Sequence, residues 1–380
     1  MSDYVRQMPQ GSNDFARPPS TAARFHIDVP LLVLLMTLTA LGLTVLYSGA
    51  GSDAGAVVRQ GRYFLVGYVV MIVAAQIRLA QYMRLAPWFY LVGVGLLVAV
   101  IFVGVGAKGA QRWLSLGGFR FQPSEILKLV VPMTVAWFLA DRILPPRFRY
   151  ILGSLVIIGI PAALILKQPD LGTALLIAAS GMFVVFMAGI GWRYIFGAVV
   201  LAGASMWPAW VFVLKDYQKQ RILTLLNPES DKLGAGWNII QSKTAIGSGG
   251  WAGKGWTQGT QSQLDFLPES HTDFIIAVLA EEFGLRGVLL LLSLYILILL
   301  RGFWIGLRAQ TSYGRMLAGS LTLTFFVYIF VNMGMVAGLL PVVGVPLPLV
   351  SAGGTSVVTL MAGFGLLMAV ATERRSVGTG

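Results

Sequence analysis

Runs of about twenty apolar residues, separated by short polar breaks, fill most of this chain. They fall at 27–48, 62–79, 84–106, 123–140, 149–166, 172–189, 193–214, 272–300, 314–340 and 350–372. As helices rising about 1.5 Å per residue, runs of this length cross a hydrocarbon layer roughly 30 Å thick. A backbone in lipid must satisfy its own polar groups, which leaves helices or closed barrels, and the run length selects helices. The pattern therefore predicts an all-α, polytopic integral membrane protein of about ten transmembrane helices. Both chain ends are then expected on one side.

Two stretches break the pattern. Residues 1–26 are polar, proline-containing and aperiodic, and are expected to form a disordered cytoplasmic tail. The apolar run that follows is longer than that of a signal peptide, so it is expected to be retained. Residues 215–271 are a long, polar, glycine-rich excursion, read as one large extracytoplasmic loop. It separates spans one to seven, 27–214, from spans eight to ten and a short cytoplasmic tail, 272–380. Trp237, Ile239, Trp251, Trp256 and Phe266 give this loop enough apolar surface to pack on the bundle or lie at its interface. No internal repeat is visible, so sequence symmetry does not support an inverted-repeat transporter.

Composition agrees and adds an orientation. The 380 residues are 56% hydrophobic and 12% charged, against about 25% charged in a soluble domain. Basic residues concentrate in the segments that share a side with the chain ends, including Arg78, Arg142, Arg147, Arg301, Arg308 and Arg315. That asymmetry predicts both termini in the cytoplasm. The net charge of +12 is scattered over loops, which fits anionic inner-leaflet lipid and argues against nucleic acid as a partner. With no cysteine and two histidines, the chain has no thiolate chemistry and no Cys/His metal cluster. Gly104 to Gly109 matches GxGxxG, but it follows a membrane helix and not a strand, so it is read as chance.

Scarce polar chemistry gathers at the start of the eighth run, in "QLDFLPESHTDFIIAVLAEEFGLRG", with Asp265, Glu269, His271 and Asp273. Ser270 and Asp273 have the spacing of a capping box, so helix cap and catalytic carboxylate both stay open for Asp273. Glu125 and Lys128, at i,i+3 behind Pro123, share a helix face and can pair about 8 Å inside the fourth span. Ionisable groups inside spans mark functional cavities more often than lipid-facing positions. Glu281, Glu282 and Arg286 form a second set, read as fixing the packing or a kink beside Gly284 and Gly287. Arg112 and Arg120 flank "WLSLGGF", and Lys219 and Arg221 open the large loop. Such cations can hold a phosphate or be solvated loop charge.

The stretches "YQKQRILTLLNP", "GAGWNIIQSKTAIGSGGWAGKGW", "GTQSQLDFLPESHTDFIIAVLAEEFG" and "PLVSAGGTS" resemble the SEDS family of shape, elongation, division and sporulation proteins, and most of all its elongation members. The resemblance covers nearly all of the chain beyond the polar tail. Asn332, Gly338, Pro341, Gly344 and Ser351 to Ser356, with Gly353 and Gly354 among them, fall at the spacing of its structural signature.

That resemblance implies a ten-span glycosyltransferase of the bacterial cytoplasmic (inner) membrane that polymerises peptidoglycan strands from lipid II. It implies a class B penicillin-binding protein as transpeptidase partner, and other membrane proteins of the elongation complex. Its essential aspartate matches Asp273, its acidic and basic pair Glu125 and Lys128, its loop tryptophan Trp113 and its loop arginine Arg120. Sugar transfer needs a base for the acceptor hydroxyl and cations for the departing pyrophosphate. The expected roles are Asp273 as base, Lys128 with Arg120 and Arg221 at the pyrophosphate, Glu125 orienting Lys128 and Glu269 orienting substrate. A divalent cation, Mg²⁺ or Mn²⁺, is expected to assist. An α-linked donor giving a β-linked glycan implies inversion by direct displacement. The alternatives are a flippase for lipid-linked precursors and a noncatalytic scaffold that activates the penicillin-binding protein.

Overall fold

The structure, a computed structural model, describes residues 26–107, 110–116, 119–214, 216–231, 234–264, 266–267 and 269–373. All of the expected 1–26 tail but His26 lies outside the described residues, as does Asp265. Ten apolar helices stand among the described residues, one at each predicted run: Val29–Gly49, Ala54–Gln76, Leu79–Val103, Pro123–Ala140, Phe148–Lys167, Leu171–Met187, Trp192–Pro208, Ile275–Arg308, Ser312–Val336 and Gly354–Thr372. Nine of the segments are long and apolar enough to cross a membrane, and the sixth, at 17 residues, is shorter. The second begins at Ala54, and not at 62, because the Asp53 carboxylate accepts from the amides of Gly55 and Ala56 at 2.7 and 3.1 Å and caps it early.

The fourth and ninth spans are the interior of the bundle, whereas the seventh has no buried residue along Trp192–Pro208. Small residues mark the tightest crossings. A Cβ at Gly365 of the tenth span would come within 2.5 Å of the Met71 carbonyl on the second, so only glycine admits this approach.

Two polar contacts tie the first and eighth spans together at opposite ends. Arg301 makes a bidentate contact to Asp28, at 3.0 and 2.6 Å, while Ser48 donates to the Glu282 carboxylate. Between residues 282 and 301 lie about 30 Å of helix, the thickness of a hydrocarbon core. His26 Nδ1 lies 2.9 Å from Thr372 Oγ1, which brings the start of the first span beside the end of the tenth. We call that end the terminal side and the opposite one the site side.

The expected kink in the eighth span is present. Gly284 has φ +65 and ψ −162, so the helix breaks there. The loop from Gly249 to Gln261 fills the break: Lys254 and Gly255 amides donate to the carbonyls of Glu281 and Glu282 at 3.0 Å each, and Leu285 donates to the Gly250 carbonyl at 2.9 Å. Glu281, fully buried, accepts from Lys254 Nζ at 2.7 Å, Thr260 Oγ1 at 3.1 Å and the Gln261 amide at 3.1 Å. The i,i+4 spacing of Glu282 and Arg286 is not used as a pair. Arg286 instead donates to the Ala252 carbonyl at 3.3 Å, because the break turns the two residues apart.

Among the described residues, 216–263 carry three further α-helices, Asp216–Leu226, Ala235–Gly249 and Thr260–Gln263, and a short 3-10 helix, Pro228–Ser230. The loop before the fourth span, in contrast, is a three-stranded antiparallel meander of β1 (Val105–Ala107), β2 (Ala110–Leu116) and β3 (Phe119–Phe121). Within it Leu114 pairs with Phe121 and Ser115 with Arg120.

Candidate functional site

Asp273 does not occupy a capping-box position. The eighth helix starts at Ile275 with Phe274 as N-cap, and residues 269–274 form a tight turn in which Glu269, at φ +58, accepts from the Thr272 and Phe274 amides. That turn is held by three residues from the end of the ninth span and the segment that follows it. Asn332 Nδ2 donates to the Asp273 carbonyl at 2.9 Å and to the Val345 carbonyl at 2.7 Å. Ser351 Oγ donates to the Thr272 carbonyl at 2.5 Å, and the Ala352 amide donates to the His271 carbonyl at 2.9 Å. Consecutive carbonyls at 271, 272 and 273 are thus pinned, which fixes the direction in which the carboxylate leaves the backbone.

Two of the signature glycines, Gly353 and Gly354, seat the same loop against the second span. The Gly353 amide donates to Gln60 Oε1 at 3.2 Å, and Gln60 Nε2 donates to the Ser351 carbonyl at 3.4 Å, so the second span supports the loop. A Cβ at Gly354 would press on the Tyr63 ring. Gly344, at φ +73, turns the backbone beside the base candidate: a Cβ there would stand 3.5 Å from Asp273 Oδ2.

Lys128 and Glu125 pair as their spacing predicts, with Nζ donating to Oε1 at 2.6 Å and both residues buried. The ammonium also lies 5.1 Å from the centroid of the Tyr328 ring. The pair lines a narrow cavity of about 40 Å³ between the fourth, ninth and tenth spans, with Thr324, Tyr328 and Thr359. Tyr328 and Asn332 are one turn apart on the ninth span, about 6 Å along its axis. The residue that carries the Lys128 ammonium and the residue that pins Asp273 are therefore neighbours on one helix face.

Arg221 is not in that cavity. It lines another, of about 140 Å³, with Arg112, Pro169, Asp170, Gln218 and Val343. Arg112 donates to the Pro169 carbonyl at 2.7 Å and pairs with Asp170 at 3.4 Å. Asp170 also caps the sixth span by accepting from the Thr173 amide at 3.2 Å. Sequence reading missed Asp170. Its signal was present as an aspartate directly before an apolar run, but its partner is remote in sequence.

Trp113 is half-buried on β2, and Glu269 is exposed, its Oε2 accepting from Thr272 Oγ1 at 2.9 Å. The side chain of Arg120 lies outside the described residues, although its backbone is placed on β3. No group of three or more His, Asp or Glu side chains suited to a metal ion occurs among the described residues. The site side can thus supply a fixed carboxylate, one buried ammonium and a separate pair of guanidinium groups.

Comparison with known proteins gives the family context. A sequence profile of the family described as "Cell cycle protein", of the FtsW, RodA and SpoVE type, matches residues 26–376. The chain is 54% identical over 352 residues to the peptidoglycan glycosyltransferase MrdB of Escherichia coli K12, covering 93% of this chain and 95% of that one. It is 37% identical over 360 residues to a probable peptidoglycan glycosyltransferase FtsW of Geobacter metallireducens, covering 92% and 95%. Among solved structures, a chain from work described as "Structural coordination of polymerization and crosslinking by a peptidoglycan synthase complex" superposes with a TM-score of 0.80 at 31% identity, covering 92% of this chain and 98% of that one. The rod shape determining protein RodA of Thermus thermophilus gives 0.69 at 29% identity, with the same coverage.

Proposed function

The chain belongs to the SEDS family of FtsW, RodA and SpoVE proteins, and from that premise we propose that it joins lipid II units with Asp273 as the general base. It is a multi-pass membrane protein and a peptidoglycan glycosyltransferase. The observation that carries the assignment of Asp273 is the clamp of Asn332, Ser351 and Ala352 on its turn, which fixes the backbone from which the carboxylate projects. A helix cap needs no such support.

In the reaction, Asp273 takes the proton of the acceptor sugar hydroxyl as its oxygen attacks the donor anomeric carbon. The bond from that carbon to the donor phosphate oxygen breaks, and the polyprenyl pyrophosphate leaves with the electron pair. Attack opposite the leaving group inverts the α-linked donor to a β-linked product. Lys128, buried and therefore weakly screened, faces the charge that develops on the leaving group. Glu125 holds its ammonium in place. In this reading Trp113 and Glu269 bind and orient substrate, and Arg120 joins Lys128 at the departing pyrophosphate.

A divalent cation would be held mainly by substrate phosphate oxygens, with Glu269 as the carboxylate available to it while Asp273 acts as base. It would supply charge stabilisation at the pyrophosphate. The transpeptidase partner is a class B penicillin-binding protein, in line with the peptidoglycan synthase complex of the similar structure. The excess of basic residues on the terminal side supports a cytoplasmic position for that side, with Asp273 then facing outward.

The test is polymerisation of labelled lipid II with Mg²⁺ or Mn²⁺ by the protein with and without its partner, read as glycan length on a gel. Wild type should make polymer, and Asp273→Asn none while remaining folded and partner-bound. Polymer from Asp273→Asn would remove the base assignment.

A further inference from the structure

We propose that the cavity between Arg112 and Arg221 is a second anion subsite, which holds the pyrophosphate of the acceptor lipid, while Lys128 serves the donor alone. The inference rests on the glycosyl-transfer reading above and divides its cations by role.

Coupling two lipid II molecules brings two pyrophosphates to one membrane face. The donor loses its pyrophosphate and the acceptor keeps its own. Lys128 cannot meet both, because it is buried and already paired with Glu125 at 2.6 Å. The second cavity is more than three times as large, about 140 against 40 Å³. It presents two guanidinium groups and one carboxylate. Asp170 offsets Arg112, which leaves one positive charge on the rim for an incoming anion. The Nε atom of Arg112 is buried and has no hydrogen-bond partner among the described residues, although its neighbouring nitrogens are held by Pro169 and Asp170. The Arg112 guanidinium is thereby fixed in the cavity wall, and the exposed Arg221 guanidinium is the one suited to an incoming phosphate oxygen.

The segment 341–345 orders the three sites. Pro341 and Val343 line the arginine cavity, Gly344 turns beside the Asp273 carboxylate, and Val345 packs on Tyr328, whose ring carries the Lys128 ammonium. Along this short segment the contact to the base candidate falls between the contacts to the two cation sites, so one stretch of backbone links all three.

Exposure separates the roles further. Arg221 is exposed on Asp216–Leu226, whereas Lys128 is buried. A buried cation acts most strongly on charge that develops in the transition state. An exposed one suits a charge that is the same before and after reaction. Arg221 should therefore govern half-saturation by acceptor, and Lys128 the maximal rate.

The experiment uses the full chain with its transpeptidase partner in lipid vesicles. Lipid II whose acceptor hydroxyl is capped is the donor, held at saturation. Uncapped lipid II is varied, and only capped tetrasaccharide is scored. Arg221→Gln should raise the half-saturating lipid II about tenfold, with the maximal rate within about twofold, as expected for loss of one charge-assisted contact. Arg221→Lys should recover most of the affinity, and inorganic pyrophosphate should inhibit Arg221→Gln less than wild type. An unchanged half-saturation, or a shift seen only when the capped donor is varied, overturns the acceptor subsite. Asp273→Asn, run alongside, should give no capped product. If it does give product, the base assignment fails whatever Arg221 does.

Discussion

At the scale of single residues, Asn332 and Lys128 separate support from chemistry. Asn332 satisfies two buried backbone carbonyls, at Asp273 and Val345. Asn332→Leu should cost about 1–3 kcal/mol for each acceptor left bare. Polymerisation by Asn332→Leu should fall much further than its thermal midpoint in detergent, because the lost contacts aim Asp273. Lys128→Met leaves the Glu125 carboxylate buried and unpaired, which should destabilise the protein by about 3–5 kcal/mol. Glu125→Gln combined with Lys128→Met should restore most of the midpoint and none of the polymerisation. Recovery of both would make the pair structural only.

Among the elements, the eighth span and the loop that fills its break behave as one unit. A side chain at Gly253 would overlap the Glu282 carbonyl and Phe283 amide, so Gly253→Val should expel the loop. Limited proteolysis between residues 250 and 262 should then rise sharply, and the thermal midpoint should fall by several degrees. Here the limits of sequence reading are physical. The apolar runs gave all ten helices, and the i,i+3 spacing gave the Glu125 and Lys128 pair, because both signals are local. A kink at Gly284 was legible, but the loop that completes it was not, since Lys254 reaches Glu281 only through tertiary folding. The alternation of Trp113, Leu114, Ser115 and Leu116 is short, and the meander escaped notice between two spans. Ser270 and Asp273 matched a cap in spacing, yet three distant residues take the carbonyls that would have begun the helix. The pairings of Arg112 with Asp170 and of Asp28 with Arg301 join residues far apart in sequence, where no pattern points.

Across the whole molecule, the ties between Asp28 and Arg301 and between Ser48 and Glu282 fix two spans at the thickness of a bilayer core. The absence of cysteine allows a direct test of orientation. A membrane-impermeant maleimide applied to intact spheroplasts should label Ala54→Cys, on the site side, and spare Gln310→Cys, on the terminal side; the reverse pattern would invert the proposed topology. The clamp on the Asp273 turn has a further consequence in time. Synthesis delivers residue 273 well before Asn332, Ser351 and Ala352, and those later residues alone complete its geometry. A nascent chain that already has eight spans in the membrane therefore holds an unaimed carboxylate, and competence to build wall arrives only with the last helix.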